Sequence, residues 1–273
     1  MTTTHTIGVP GGILYYELRG TGPVLVVTGS PMDAPAFAPL ADALRDTYTV
    51  VTHDPRGVSR STLDDIEQDS TPELRADDLV AILDDLGARS ADVFGSSGGA
   101  VTGLALVARH PARVRTLVAH EPPLLELLPD AAEQRAGVDD LVETFHREGP
   151  GAAWAKFMAR AGFDTGDGDG GDPGDAQGPD RGEPSARDLA GAARFFGHEL
   201  RGTTRYVPDT AALTAGPARV VAGIGAASGD LLTSRTTTAL AGLLGTPAVE
   251  FPGDHGGFMV QPAEFAEVLR RTL

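Results

Sequence analysis

The pentapeptide Gly95-Ser96-Ser97-Gly98-Gly99 places a serine between glycines two positions away on either side, after an apolar run and before a helical pattern. That G-x-S-x-G spacing suits a sharp strand-to-helix turn, in which only small neighbours let the backbones approach. The turn strains the central residue and pushes the Ser97 hydroxyl into open space, where it could act as a nucleophile. The amides of Gly98 and its neighbours would then lie at a helix N-terminus, where they favour developing negative charge. The same five residues could also build a Gly/Ser-rich loop that only turns the chain or holds a phosphate.

A serine nucleophile needs a base, and the chain has 7 histidines. His5 lies near the start, His110 stands before Pro111, and His146 and His198 fall in helix-like segments, so each reads as a surface or packing residue. His53 and His120 end apparent strands, but each is followed by a carboxylate that accounts better for its position. His255 differs. It follows the last apparent strand in Pro252-Gly253-Asp254-His255-Gly256-Gly257, where glycines give an imidazole unhindered approach to a neighbouring strand end. In an α/β sheet this is the same carboxyl edge as Ser97.

The elements that must position these two residues alternate. Strand-like runs at Ile13 to Arg19, Val24 to Thr28, Thr49 to Thr52, Asp92 to Gly95 and Val114 to Ala119 are interleaved with helical patterns at Ala36 to Arg45, Pro72 to Leu86 and Gly98 to Arg109. This order predicts a mostly parallel sheet with helices on both faces. The helix at Pro72 has a capping Thr71, a proline at its first position and Gly87 at its end. From about Pro122 to Val207 only helical pieces are legible, around Leu141 to Arg147, Ala152 to Ala161 and Arg187 to Leu200. The alternation then resumes at Arg219 to Ile224, Thr233 to Leu244, Ala248 to Phe251 and Pro262 to Leu273. The expected organisation is one core, 1–121 and 208–273, interrupted by a helical cap, 122–207. Within the cap, 164–183 is rich in Asp and Gly and reads as a flexible acidic loop; as a calcium loop it fails, because Gly171 and Gly178 fall at ligand positions.

Composition narrows the function. The chain has 273 residues and a formal charge of −16, with 22 Lys+Arg against 38 Asp+Glu. Nucleic acid and anionic membrane surfaces are therefore poor partners. There is no cysteine, so thiol nucleophiles, cysteine-based zinc sites and disulfides are excluded. No stretch approaches the roughly 20 apolar residues of a membrane span, and the start lacks a secretory leader pattern, so a soluble cytoplasmic protein is expected.

Together, Val24 to Glu121 and Arg219 to Leu273 resemble the α/β-hydrolase superfamily. Besides Gly95-x-Ser97-x-Gly99 and the late His255, Thr28-Gly29-Ser30-Pro31 resembles the family's His-Gly-x-Pro oxyanion loop, with Thr28 in place of the usual histidine. Asp54-Pro55-Arg56-Gly57 resembles its Asp-x-Arg-Gly turn, with Ser59 in place of the usual second glycine. The resemblance implies an α/β-hydrolase fold and an oxyanion hole made by the backbone amides of Ser30 and Gly98. It implies an acid partner for His255 at one of two places. One follows the strand at Arg219, where Ser228 stands and Asp230 falls two residues late; the other is Glu121, ending the strand after the nucleophile helix. Glu121 is preferred, its backbone expected to be held extended by Pro122 and Pro123. Asp54 reads as structural or substrate-facing.

The expected activity is that of a cofactor-independent serine esterase without a metal, cleaving an ester, thioester or lactone of a small, apolar substrate. The resemblance leaves perhydrolases, C–C hydrolases, aminopeptidases and tailoring enzymes of secondary metabolism open on the same residues, and also a ligand-binding member without turnover. A small-molecule substrate is the expected ligand, with a homodimer left open.

Overall fold

The computed structural model describes residues 2–163 and 185–273; the acidic segment read as a flexible loop, 164–183, lies outside the described residues. The chain opens with a hairpin, β1 (Thr2–Val9) and β2 (Gly12–Arg19), then alternates: β3 (Val24–Thr28), α1 (Ala38–Leu44), β4 (Thr49–Asp54), the short β5 (Thr62–Leu63), α2 (Pro72–Asp85), β6 (Ala91–Ser96), α3 (Gly98–Arg109) and β7 (Val114–His120). Helices α4 (Ala131–Glu148), α5 (Pro150–Ala161), α6 (Ala186–His198) and α7 (Leu200–Thr204) follow. Next come α8 (Thr210–Ala215), β8 (Arg219–Gly225), α9 (Leu232–Leu244), β9 (Val249–Phe251), the single turn α10 (Gly257–Val260) and α11 (Pro262–Thr272).

Eight strands run β1-β2-β4-β3-β6-β7-β8-β9, with β5 paired to β2. From β4 to β9 all neighbours are parallel, while β2 joins β1, β4 and β5 antiparallel. The central strands β3, β4, β6 and β7 are buried at almost every position, as parallel strands covered on both faces must be. One face carries α2, α3, α8 and α9, through Leu79, Leu104, Leu213 and Leu240. The other carries α1, α10 and α11, through Leu40, Phe258 and Phe265.

Helices α4 to α7 build a third apolar cluster around Val142, Phe195 and Phe196, with no described strand among them. Trp154 stacks on Phe195 with ring centroids 5.2 Å apart, and Phe145 on Phe196 at 5.5 Å. α8 belongs with the core, since Leu213 packs into the sheet-face cluster.

Two local expectations meet the structure differently. Thr71 caps α2 by accepting from Leu74 N at 3.2 Å, as its sequence implies. The strand β1 is only weakly marked: Thr2, Thr3, Thr4 and Thr6 are exposed at an edge, and the apolar alternation is confined to Ile7 and Val9, which pack on the sheet-face cluster.

Candidate active site

β6 ends at Ser96, and Ser97 follows with φ 55° and ψ −125°, a positive-φ geometry rarely adopted by a residue with a side chain. The strain is held on both sides. Ser97 N donates to His120 O at 2.9 Å, and its carbonyl accepts from Ala100 N in the first turn of α3 at 2.9 Å. The flanking glycines are sterically required: a Cβ on Gly95 would lie 2.6 Å from Gly99 O, and one on Gly99 2.3 Å from Thr28 O. Ser97 Oγ has no hydrogen-bond partner among the described residues, so its hydroxyl is uncommitted.

One strand along, Glu121 follows β7 and is fully buried. Its backbone is not extended as its two prolines predict: φ is 49°, in the left-handed region. Pro122 alone would favour an extended residue before it, but Glu121 N donates to Gly223 O at 3.0 Å and its carboxylate is gripped by three donors. Gly225 N donates to Oε1 at 2.9 Å, the Thr233 hydroxyl to Oε2 at 2.8 Å, and His255 Nδ1 lies 2.7 Å from Oε2. These tertiary bonds outweigh the local preference.

Burial alone would push the Glu121 carboxyl up; the His255 hydrogen bond and charge outweigh it and hold the group down at about 2. The acid is thus a carboxylate facing His255 Nδ1, which leaves Nε2 directed away from it. Asp230, the other candidate, is exposed and makes no hydrogen bond among the described residues. Ser228, standing where the resemblance puts the acid in most members, is buried.

Strand pairing brings Ser97 and Glu121 to adjacent strand ends, since Ser96 pairs with His120 and His120 with Gly223. His255 reaches the same edge from the loop after β9, which Gly225 and Phe251 tie to β8. Ser30 also converges there. A Cβ on Gly98 would fall 2.9 Å from Ser30 Cβ, so the two backbones are in close approach. Neither the Ser30 nor the Gly98 amide N–H donates to another group among the described residues.

His53, His120 and Asp54 are buried and held apart from the Glu121–His255 pair. His53 is buried and shares a 2.9 Å hydrogen bond with Thr28 Oγ1, so Thr28 meets a histidine rather than being one. Burial pushes His53 down to about 4. His120 is fully buried, with neither ring nitrogen hydrogen-bonded, and packs edge-on to Phe251 and Phe265 with its ring 6.3 Å from that of His255. Burial likewise pushes it down to about 4. Asp54 is fully buried. It accepts from Ala34 N at 3.0 Å and from Arg60 Nε at 2.7 Å, locking the turns after β3 and β4 together. Ser59 adopts φ 53° where the resemblance expects glycine, its hydroxyl donating to Asp33 Oδ2 at 2.6 Å.

Residues 22–160 match the family model described as the alpha/beta hydrolase fold. The chain is also 35% identical, over 98% of its own length and 95% of the relative's, to the "Uncharacterized hydrolase YraK" of Bacillus subtilis (strain 168). This protein is an α/β hydrolase. A shorter match links this hydrolase to the zearalenone hydrolase of Bionectria ochroleuca, at 36% identity over 48% of this chain and 53% of that one. Among solved structures, the α/β hydrolase fold seen here is shared with a thermophilic esterase from Thermogutta terrifontis, at TM-score 0.73 and 22% identity over 99% of this chain and 97% of that one. It is shared also with Est816, described as an N-acyl homoserine lactone degrading enzyme, at TM-score 0.68 and 20% identity over 98% and 100% of the chains. As an α/β hydrolase with hydrolase relatives, the protein is a hydrolytic enzyme. Among its described residues no helix is long and apolar enough to cross a membrane, and no group of three His, Cys, Asp or Glu is placed to hold a metal.

Proposed function

We propose that this α/β hydrolase cleaves a carboxylic ester, thioester or lactone through an acyl-enzyme on Ser97. The observation that carries the reading is the 2.7 Å contact between His255 Nδ1 and the buried Glu121 carboxylate, one strand away from a strained serine whose hydroxyl has no partner among the described residues. Ser97 Oγ attacks the acyl carbon while His255 Nε2 takes its proton; the proton then passes to the leaving oxygen or sulfur. Glu121 holds the imidazole tautomer and stabilises the cation that forms. The N–H groups of Ser30 and Gly98 receive the oxyanion, each such donor being worth about 3 kcal/mol in the transition state. Water, activated by the same imidazole, releases the acid. Helices α4 to α7 act as the cap, its aromatic residues packing on one another. A small molecule is the substrate, and no cofactor takes part. The lactone arm is included because one structural neighbour, Est816, is described as an N-acyl homoserine lactone degrading enzyme.

A fluorophosphonate probe tests the nucleophile. Wild type is labelled and hydrolyses members of a panel of aryl esters, thioesters and lactones, whereas Ser97→Ala is neither labelled nor active. Wild type that resists the probe, or Ser97→Ala that still takes it, would overturn the proposal.

A further inference from the structure

Beneath α6 and α7 a buried ionic cluster meets the loop that carries Ser30. The Ser30 hydroxyl donates to Glu199 Oε2 at 2.6 Å and accepts from Arg75 Nη1 at 3.2 Å. The same guanidinium lies 3.4 Å from Glu199 Oε2, and its Nη2 donates to Thr203 Oγ1 at 2.7 Å. None of these four side chains is more than 4% exposed. They come from three distant parts of the chain: the loop after β3, the core helix α2, and the α6–α7 junction.

Stability alone does not account for such a cluster. Burying a guanidinium and a carboxylate costs several kcal/mol each in desolvation, and well-packed apolar side chains of similar volume commonly serve as well or better. This cluster is also incompletely satisfied, since Glu199 Oε1 and Arg75 Nε have no hydrogen-bond partner. Its distinctive effect is on one residue. Ser30 is engaged as donor on one side and acceptor on the other, which fixes its side-chain torsion and with it the local backbone. That backbone lies against Gly98, and its N–H donates to no group among the described residues.

We propose that Arg75 and Glu199 are positioning residues that clamp Ser30 so that its amide N–H stays aimed at the oxyanion. Turnover then requires the α6–α7 junction to be seated on the core, because Glu199 is delivered from there. The inference rests on the reading of Ser97 as nucleophile and Ser30 as oxyanion donor. An N–H displaced by a fraction of an ångström loses most of its transition-state contribution while ground-state binding is little changed.

Two variants test it, each normalised to the fraction of sites that a fluorophosphonate labels at completion. Arg75→Met/Glu199→Leu removes both charges of the pair, with Arg194 nearby still held by Ile66 O, Gln68 O and Ser70 Oγ; Ser30→Ala removes the clamp's grip but keeps the backbone amide. In both, kcat on a short-chain aryl ester is expected to fall about tenfold to a hundredfold with KM within about twofold of wild type. The inhibition constant of a trifluoromethyl ketone, whose adduct with Ser97 seats an oxyanion in the same hole, should rise by a similar factor. Where the double variant does not fold, Ser30→Ala decides alone. Folded variants with wild-type kcat and inhibition constant would overturn the proposal. Wild type that neither labels nor turns over instead sinks the hydrolase reading beneath it, before any variant is compared.

Discussion

In the proposed mechanism Glu121 is the residue that orients the base. Its carboxylate holds His255 Nδ1, and Asp230 is out in solvent. Glu121→Gln should therefore lower kcat by roughly 10³- to 10⁴-fold, by analogy with the loss when a triad carboxylate becomes an amide. Asp230→Asn should leave steady-state kinetics unchanged, and the reverse result would reassign the acid. Held at about 2 when folded against 4.5 as an ordinary carboxyl, Glu121 contributes stability that is complete above pH 4.5 and lost as pH falls towards 2. His120 acts in a different window. Buried and neutral, it is pushed down to about 4 from 6.5, so the unfolded chain binds the extra proton between those values. Stability then falls as pH drops from 6.5 towards 4. Thermal melts of His120→Leu across this window should show a shallower decline than wild type; an equal slope would mean that His120 is not buried neutral.

At the scale of elements, the turn from β6 into α3 has no spare space. Gly95→Ala would put a methyl carbon 2.6 Å from Gly99 O and 2.7 Å from Ala100 Cα, both backbone atoms that cannot swing aside. A loss of about 1–3 kcal/mol in urea unfolding is expected, together with loss of fluorophosphonate labelling as the turn distorts. A variant that is stable and labelled at the wild-type rate would refute this account of the turn. This turn was legible in the sequence because its requirement is local: small residues at fixed offsets between a strand and a helix. The conformation of Glu121 was not. Local rules put the residue before Pro122 in an extended conformation, whereas bonds from β8, α9 and the His255 loop hold it at φ 49°. The edge strand β1 is poorly legible for a related reason, since only Ile7 and Val9 alternate along it and the rest of its pairing to β2 is backbone hydrogen bonding.

At the scale of the whole molecule, three apolar clusters divide the described residues, two on the faces of the sheet and one within α4 to α7. Phe196 is 1% exposed at the centre of the third, against Phe145, Trp154 and Phe195. Phe196→Ala should cost about 3–5 kcal/mol in chemical denaturation. If α4 to α7 fold as a unit seated on the core, turnover falls with the same midpoint; activity persisting beyond that transition would show that these helices do not serve the site. The sequence by itself determined the alternating elements, the mixed sheet's parallel half, the interruption by helices, and Ser97 and His255 as the pair to examine. These follow from period, turn chemistry and the small residues a strained turn needs, all of which are written along the chain. Only the tertiary structure set Glu121 rather than Asp230 against His255, joined Ser30 to Arg75 and Glu199, and buried His53 and His120. Each of those depends on which strand ends lie side by side and on what is sealed from water, and neither is a property of neighbours in sequence.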